Sequence, residues 1–139
     1  MAEKKLVCEV ITPEKVVFRG EVDMVIAPGV EGEVGILPLH APFFTQLAIG
    51  ELRVKFREDG KEKEDYIAVH GGFMEVFEDK VTVMTSAAEL AREIDIERAK
   101  RAAAKAEALL AEKREGLEHI RADAALRRAR ARVKIAGRL

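Results

Sequence analysis

The sequence has few of the residues that are typical of secreted or base-stacking proteins. Its 139 residues include one cysteine, no tryptophan and only 5% aromatic residues. A lone cysteine cannot form an intrachain disulfide, which favours a protein of a reducing compartment. The low aromatic content disfavours a surface on which nucleic-acid bases would stack.

Long hydrophobic runs are also missing, so the sequence predicts neither a signal peptide nor a transmembrane helix. The hydrophobic share is nevertheless 48% and the charged share 35%, which predict a globular chain with its own core. The formal net charge of −1 conceals an asymmetry, because the chain leans acidic up to about Ser86 and is strongly basic from Arg121. A basic end favours an acidic partner, such as a protein surface, a nucleotide phosphate, an anionic membrane or nucleic acid.

The first part of the chain has the two-residue period of β-strands. Residues 51–57, for example, alternate apolar and charged side chains, as in a half-buried strand. The Asp-Gly pair at 59–60 predicts a tight hairpin, and Gly50 predicts a strand end. The glycine pair at 71–72 breaks the alternation and predicts a bulge or a close approach of two backbones. Many short strands separated by turns predict a β-sandwich over residues 1–86.

From about Ser86 the hydrophobic period changes to 3.6 and alanine dominates, which predicts two helices over residues 87–139. Asp95 is the expected N-cap of the first helix, and Gly116 is expected to follow its last turn. The apolar stripes are Ile96, Ala99, Ala103, Ala106 and Leu110 on the first helix, and Ala122, Leu126, Ala129, Val133 and Ala136 on the second. Alanine buries little apolar area, so we expect an antiparallel hairpin that can rest on the β-domain or leave it.

Between the predicted third and fourth strands lies a crossing with two prolines, Pro38 and Pro42, on either side of His40. Proline lacks an N–H donor, so this segment is predicted to be extended and unpaired, with Leu37 and Leu39 available to pack inward. Glu31 and Glu33 are expected on a turn before it. Catalysis or metal binding at His40 is disfavoured, because no second histidine or cysteine lies at ligand spacing. The two glutamates are more typical of a solvated or partner-facing turn than of an acid/base pair.

Cys8 alternates with Leu6 and Val10 on an apolar strand face. This position favours a small buried side chain over a reactive nucleophile.

The second helix carries a basic segment with three possible roles. Its members are Arg127, Arg128, Arg130, Arg132, Lys134 and Arg138. They could form a solvated helix face, a surface for an acidic protein partner, or a nucleic-acid surface, and the last is disfavoured by the near-neutral chain and its few aromatics. The acidic-partner role is favoured because the charges surround the helix. Arg128 and Arg132, four residues apart, could equally close on a phosphate.

Four motifs in order resemble the epsilon subunit of bacterial-type F-type ATP synthases. They are Val10-Ile11-Thr12-Pro13, Glu31-Gly32-Glu33-Val34-Gly35-Ile36-Leu37-Pro38-Leu39-His40-Ala41-Pro42, Gly71-Gly72-Phe73-Met74-Glu75-Val76 and Ile94-Asp95-Ile96-Glu97-Arg98-Ala99. The last is similar to the family's Ile/Leu-Asp-x-x-Arg-Ala motif at the start of a helical hairpin. The resemblance covers essentially the whole chain.

The resemblance implies a mainly β fold with an α appendage. A ten-stranded β-sandwich over 1–86 would bind the rotor through the gamma subunit and the c-subunit ring. An antiparallel two-helix hairpin over 87–139 would regulate ATP hydrolysis. The chain would be a non-catalytic central-stalk subunit of a proton- or ion-driven ATP synthase. Its hairpin would restrain ATP hydrolysis by reaching the alpha and beta subunits of the catalytic head. The complex would hold it, as a peripheral protein, at the cytoplasmic face of the bacterial inner (plasma) membrane.

The resemblance also implies roles for single residues. Glu31, Glu33 and His40 would face the c-ring, and the basic segment Arg127, Arg128, Arg130, Arg132, Lys134 and Arg138 would face the beta subunits. Some family members bind ATP in the folded hairpin, and the matching positions here are Glu89, Ile94, Asp95, Arg98, Ala99, Arg128 and Arg132. ATP would then be a regulatory ligand, and no cofactor would be required.

A different class of function stays open on the residues alone. The chain could be a free-standing β-sandwich adaptor whose basic helical arm binds another acidic protein. A small enzyme is disfavoured, because the sequence shows no nucleophile–base pair or metal-ligand constellation.

Overall fold

A computed structural model describes residues 4–113 and 115–138, which form two compact units, Met1–Leu90 and Ala91–Leu139. The limits given above, 1–86 and 87–139, include residues 1–3, 114 and 139, which lie outside the described residues. The sheet continues past Ser86, because a last short strand at Ala88–Leu90 pairs with an earlier strand. The two compact units therefore divide between Leu90 and Ala91.

Eight strands of the described residues form one sheet in the first unit. They are β1 (Leu6–Ile11), β2 (Val16–Val22), β3 (Met24–Gly29), β4 (Gly32–Ile36), β5 (Phe43–Glu58), β6 (Lys61–Phe77), β7 (Lys80–Met84) and β8 (Ala88–Leu90). Their order is β2-β1-β7-β6-β5-β3-β4, with β8 also paired to β6. Neighbours are antiparallel except β1 and β7, which run parallel.

The sheet folds onto itself between β2 and β3. These strands stand at or near opposite ends of the strand order, yet only Asp23 separates Val22 from Met24. The Asp23 N–H donates to the carbonyl of Lys55 (2.7 Å), and the Asp23 carboxylate pairs with Lys5. One residue can join the two ends only if the sheet curls until they meet, which produces the two packed layers of a sandwich.

The predicted class, mainly β with a helical hairpin, is confirmed, but the described residues contain eight strands and not ten. The difference arises in β5 and β6, which continue through Gly50, the expected strand end, and through the glycine pair at 71–72. The pairs Leu47–Gly72 and Ile49–His70 belong to one register, so the ladder bends there and resumes unchanged. The predicted close approach of two backbones is confirmed at Gly72, where a Cβ would lie 2.1 Å from the carbonyl oxygen of Met84, and φ +106° also favours glycine.

The core of the sheet unit consists of the inward side chains of nearly every strand. Leu6, Cys8 and Val10 of β1 are fully buried, as are Leu52 of β5 and Ile67 of β6. Burial, with the nearby charge of Glu9, raises the pKa of the Cys8 thiol to about 12, so the thiolate is strongly disfavoured. The interpretation of Cys8 as a core residue is therefore confirmed.

The second unit contains a short 3-10 turn (Ala91–Glu93) and two helices, α1 (Ile96–Ala111) and α2 (Leu117–Ala136). Asp95 is the N-cap of α1, as expected, and its Oδ1 accepts a hydrogen bond from the N–H of Arg98 (3.1 Å). The prediction for Gly116 was wrong, because Gly116 precedes α2 at φ +65° as its N-cap. Lys113, at φ +54°, follows the last turn of α1 instead.

The helical unit has a thin apolar interface. Its buried helix residues are Ala99 and Ala106 on α1, and Ala122, Leu126, Ala129 and Ile135 on α2. Ile135 is buried in place of the expected Val133 and Ala136, which stay partly exposed. Among the described helices, none combines the length and the apolar character that crossing a membrane would require.

Candidate functional site

The turn between β3 and β4 presents Glu31 to solvent. Residues 30–31 join Gly29 to Gly32, which pair directly across the hairpin. The N–H of Val30 donates to the carbonyl of Gln46 on β5 (3.1 Å), so the turn is attached to the central part of the sheet. Glu31 is therefore an exposed carboxylate on a well-supported turn.

Glu33 was predicted on the turn, but it lies on β4, where it pairs across the hairpin with Pro28 and has an ionic partner within the chain. Its Oε2 accepts a hydrogen bond from Arg53 of β5 (3.0 Å), and Arg53 also lies 3.7 Å from Glu51. The charge of Glu33 is thus partly neutralised, whereas its side chain is still about two-thirds exposed. Arg53 links the β3–β4 hairpin to the long strand β5.

His40 lies on the crossing at residues 37–42, apart from the β3–β4 turn. The prediction that Leu37 and Leu39 pack inward was wrong, because both side chains are exposed. The Nδ1 of His40 is 2.7 Å from the carbonyl oxygen of Ala41, and because a carbonyl only accepts, Nδ1 carries the proton. The imidazole also lies against Phe43, with 5.7 Å between the ring centroids. Glu33 and His40 have separate partners, so the geometry offers no shared acid/base site. No group of three or more potential metal ligands occurs among residues 4–113 and 115–138.

The residues that match the ATP-binding motif are distributed over both units. Glu89 lies on β8, opposite Ala68 of β6, in the sheet unit. Ile94, Asp95, Arg98 and Ala99 surround the beginning of α1 in the helical unit. Asp95 is engaged as the N-cap, Arg98 is exposed, and Ala99 is buried.

Arg128 lines a groove of about 520 Å³ along the two helices. Lys105 of α1 and Arg121 of α2 line the same groove, and a single carboxylate, Glu118, accompanies these three cations. Its apolar lining is Ala102, Ala106, Leu109, Ala122 and Ala125. A groove lined by cations and by apolar side chains suits an anion that also has an apolar part. Arg132 is half-buried further along α2.

Lys105 and Arg121 were missed in the sequence analysis. Arg121 and Arg128 are seven residues apart, a spacing that places both on one side of a helix, and this signal was available. Lys105 could not be assigned because its position depends on how α1 pairs with α2, which periodicity within one helix does not give.

The other members of the predicted basic segment have varied surroundings. Arg127 pairs with Asp123 one turn earlier (3.3 Å), and Arg130 pairs with Glu107 of α1 (3.2 Å). Lys134 lines a second, smaller groove of about 380 Å³ together with Arg130. Arg138 is exposed just after α2. The charges thus surround the helix, and some already have acidic partners in the hairpin.

Both halves of the chain match models of one protein family. Residues 5–91 match the ATP synthase, Delta/Epsilon chain, beta-sandwich domain, and residues 87–137 match the ATP synthase, Delta/Epsilon chain, long alpha-helix domain. The chain is 48% identical over 135 residues to the ATP synthase epsilon chain of Nitratidesulfovibrio vulgaris, covering 97% of this chain and 98% of that one. It is 49% identical over 136 residues to the epsilon chain of Syntrophobacter fumaroxidans, with 98% of each chain covered.

Two solved structures share the fold of this chain. A chain of the Euglena gracilis mitochondrial ATP synthase, in a structure of OSCP, F1 and the c-ring, superposes with a TM-score of 0.77 at 26% identity, over 91% of this chain and 78% of that one. A chain from the central stalk and c-ring of the Tetrahymena thermophila mitochondrial ATP synthase has a TM-score of 0.64 at 14% identity, over 98% and 99% of the chains, and supports the fold alone. The chain therefore belongs to the ATP synthase delta/epsilon family, and its curated relatives are epsilon chains that match it over nearly their full length.

Proposed function

We propose that the sheet unit binds the chain to the rotor and that the helical unit regulates ATP hydrolysis. The sheet unit would contact the gamma subunit and the c-subunit ring, and the hairpin would reach the alpha and beta subunits of the catalytic head. The observation that carries this proposal is the alanine-rich contact between α1 and α2, surrounded by exposed arginines. Such a contact costs little to rearrange, since apolar stabilisation scales with buried area.

The regulatory mechanism depends on the basic segment of α2. In the folded hairpin, Arg127 and Arg130 are occupied by Asp123 and Glu107. When the helices separate, Arg130 exchanges Glu107 for an acidic surface of a beta subunit and blocks rotation in the hydrolysis direction. Both states contain an ion pair, so the switch needs only a small energy difference.

ATP is proposed as a regulatory ligand of the folded hairpin. Arg128 supplies a cation within the groove that Lys105 and Arg121 also line, and these residues would hold the phosphates. Asp95 would act indirectly, because it caps α1 through the Arg98 N–H and a carboxylate repels phosphate. Bound ATP would stabilise the folded hairpin and so favour hydrolysis-competent complexes.

The chain is proposed to have no catalytic site of its own and to require no cofactor. It would remain peripheral to the membrane, at the cytoplasmic face of the bacterial inner membrane, through its contacts with the rotor. Glu31, Glu33 and His40 would be the residues that face the c-ring, with Glu31 supplying the exposed charge.

The regulatory role is tested by removing the helical unit after Leu90, which retains β8 in the sheet. ATP synthase assembled with this shortened chain should hydrolyse ATP faster than the parent complex while containing the same subunits. Unchanged hydrolysis in a correctly assembled complex would contradict the inhibitory role. Failure of the full chain to co-purify with gamma would instead favour the free-standing adaptor.

The ATP proposal is tested by calorimetric titration of the full chain. The double variant Arg98→Ala, Arg128→Ala should lose the binding that the parent shows at millimolar ATP. Arg127→Ala is the matched control, because Arg127 pairs with Asp123 of its own helix. An absence of binding in the parent would leave the arginines as a partner-facing surface only.

A further inference from the structure

Ile135 is the largest completely buried side chain among the described residues of the helical unit. The other buried positions of the two helices are four alanines and Leu126, which keeps 6% of its surface exposed. The apolar stabilisation that a side chain provides grows with the area it buries. Ile135 therefore makes one of the largest single contributions to the folded hairpin.

Ile135 is buried on the side of α2 that turns away from α1. Three of the other buried residues of α2 share one side of the helix: Ala122, Leu126 and Ala129. The two grooves that α2 shares with α1 flank this stripe, so the stripe faces α1. Ile135 follows Leu126 by nine residues, and because a helical turn takes about 3.6 residues, the two side chains lie on opposite sides. Contact with α1 on the Leu126 side does not account for the burial of Ile135.

The cover over Ile135 is local to the end of α2. Leu117 lies about five helical turns earlier on the same side of α2, and 58% of its surface is exposed. Ile120, on nearly the same side, is 62% exposed. A surface that covered this whole side of α2 would bury all three residues. The covering group must therefore lie close to the last turns of the helix.

The 3-10 turn Ala91–Glu93 occupies the required position. The helices are antiparallel, so the end of α2 lies beside the start of α1, and the 3-10 turn comes just before that start. This turn contacts α2, and its Ala91 is buried. Backbone hydrogen bonds fix both segments, since Ile94 N–H donates to the carbonyl of Ala91 (3.3 Å) and Arg138 N–H donates to that of Ile135 (3.1 Å).

We infer that Ile135 and the 3-10 turn form a latch that holds the end of α2 in the folded hairpin. The inference rests on the proposed function, in which the helices separate to restrain hydrolysis, and it identifies the contact that opposes this separation. The ion pair of Arg130 with Glu107 is a weaker restraint, because both side chains are more than half exposed. The turn directly follows β8, so the latch fastens α2 to the point where the helical unit begins.

The first test is amide hydrogen exchange in the full chain. Ile135→Ala should speed exchange in the last two turns of α2 by at least about tenfold, because truncating a buried isoleucine is costly. Alanine has the higher helix propensity, so a change in propensity alone would slow this exchange. The amide of Ile94 should also exchange faster, since its acceptor Ala91 belongs to the latch. Leu117→Ala, an exposed position on the same side of α2, is the control and should change neither region.

Two results would overturn the latch. One is unchanged exchange at the Ile94 amide in Ile135→Ala, which would show that the 3-10 turn does not depend on this side chain. The other comes from nuclear Overhauser contacts in the parent chain with labelled isoleucine and alanine methyl groups. Contacts from the Ile135 methyls to the turn Ala91–Glu93 are expected. If these methyls contact other residues but none of this turn, a different segment covers Ile135.

ATP hydrolysis by the assembled complex tests the regulatory role of the latch. Ile135→Ala should lower hydrolysis, because loss of the latch favours the extended hairpin, and Ile135→Val should have a smaller effect since most of the side chain remains. If removal of the helical unit after Leu90 raises hydrolysis but Ile135→Ala leaves it unchanged, the proposed function stands and the latch has no regulatory role. If neither change alters hydrolysis, the proposed function fails, and the regulatory role of the latch fails with it.

Discussion

The two units of this chain bury different kinds of side chain. The sheet unit encloses fully buried leucine, isoleucine, valine and methionine, whereas four of the six buried positions on α1 and α2 are alanines. Large side chains interlock and contribute more buried area for each residue, so they define one arrangement strongly. Alanines allow the two helices to approach closely, but they bury little area and so stabilise that arrangement only weakly. The comparison indicates a fixed platform in one unit and an adjustable element in the other.

The comparison is tested most strongly by one leucine-to-alanine substitution in each unit. Leu52→Ala in the sheet core should destabilise that unit by about 2–5 kcal/mol, because a fully buried side chain leaves a cavity. Leu126→Ala should cost less, since Leu126 is 6% exposed and most other buried positions of the two helices are alanines. Urea unfolding followed by far-UV circular dichroism would measure both. Equal losses in the free energy of unfolding would show that the hairpin interface is packed as tightly as the sheet core.

A second prediction concerns the bend that lets the long strands remain continuous. Gly72→Ala should cost about 3 kcal/mol, because the new Cβ would meet the Met84 carbonyl oxygen at a positive φ. Gly60→Ala is the control, at φ +75° with no heavy atom within 4 Å of the new Cβ, and should show only the smaller strain cost. Thermal unfolding of the full chain would report the difference. Similar losses would mean that contact with β7 does not define the bend.

The third prediction concerns Asp95, the N-cap of α1. Asp95→Ala removes the acceptor for the Arg98 N–H and should destabilise α1 by roughly 0.5–2 kcal/mol. The loss should appear as fraying of α1 in amide hydrogen exchange, with β-strand amides unaffected. Asp95→Asn should keep most of the protection, since asparagine caps nearly as well. Slower exchange at strand amides than at α1 in the parent would agree with the contrast between the units.

Sequence reasoning predicted the fold class, the N-cap Asp95 and the burial of Cys8, because each depends on local period or local chemistry. It failed where two distant segments decide the outcome. The backbone that approaches Gly72 is that of Met84, which periodicity along β6 alone does not identify. Gly116 is a local failure, because Lys113, three residues earlier, already takes the left-handed position after α1. The partner of Glu33, by contrast, is Arg53, twenty residues away, and the groove around Arg128 requires the pairing of two helices.

The smallest expected effect concerns the ion pair between the helices, Arg130 with Glu107. Both side chains are more than half exposed, so the pair contributes about 0.2–1 kcal/mol to the folded hairpin. Glu107→Gln should shift the hairpin modestly towards extension and free Arg130 for an acidic partner. ATP hydrolysis by the assembled complex should therefore decrease slightly, and the decrease should vanish at high salt, where exposed charges are screened.

Glu97→Gln is the matched control for this variant, because Glu97 pairs with Lys100 of the same helix and does not join α1 to α2. Glutamine keeps a helix propensity close to that of glutamate, so intrinsic helix stability changes little. If Glu97→Gln lowers hydrolysis as much as Glu107→Gln, the effect comes from the helix charge and not from the link between helices. If only Glu107→Gln acts, even a weak contact biases the hairpin, as expected for an interface whose two states lie close in energy.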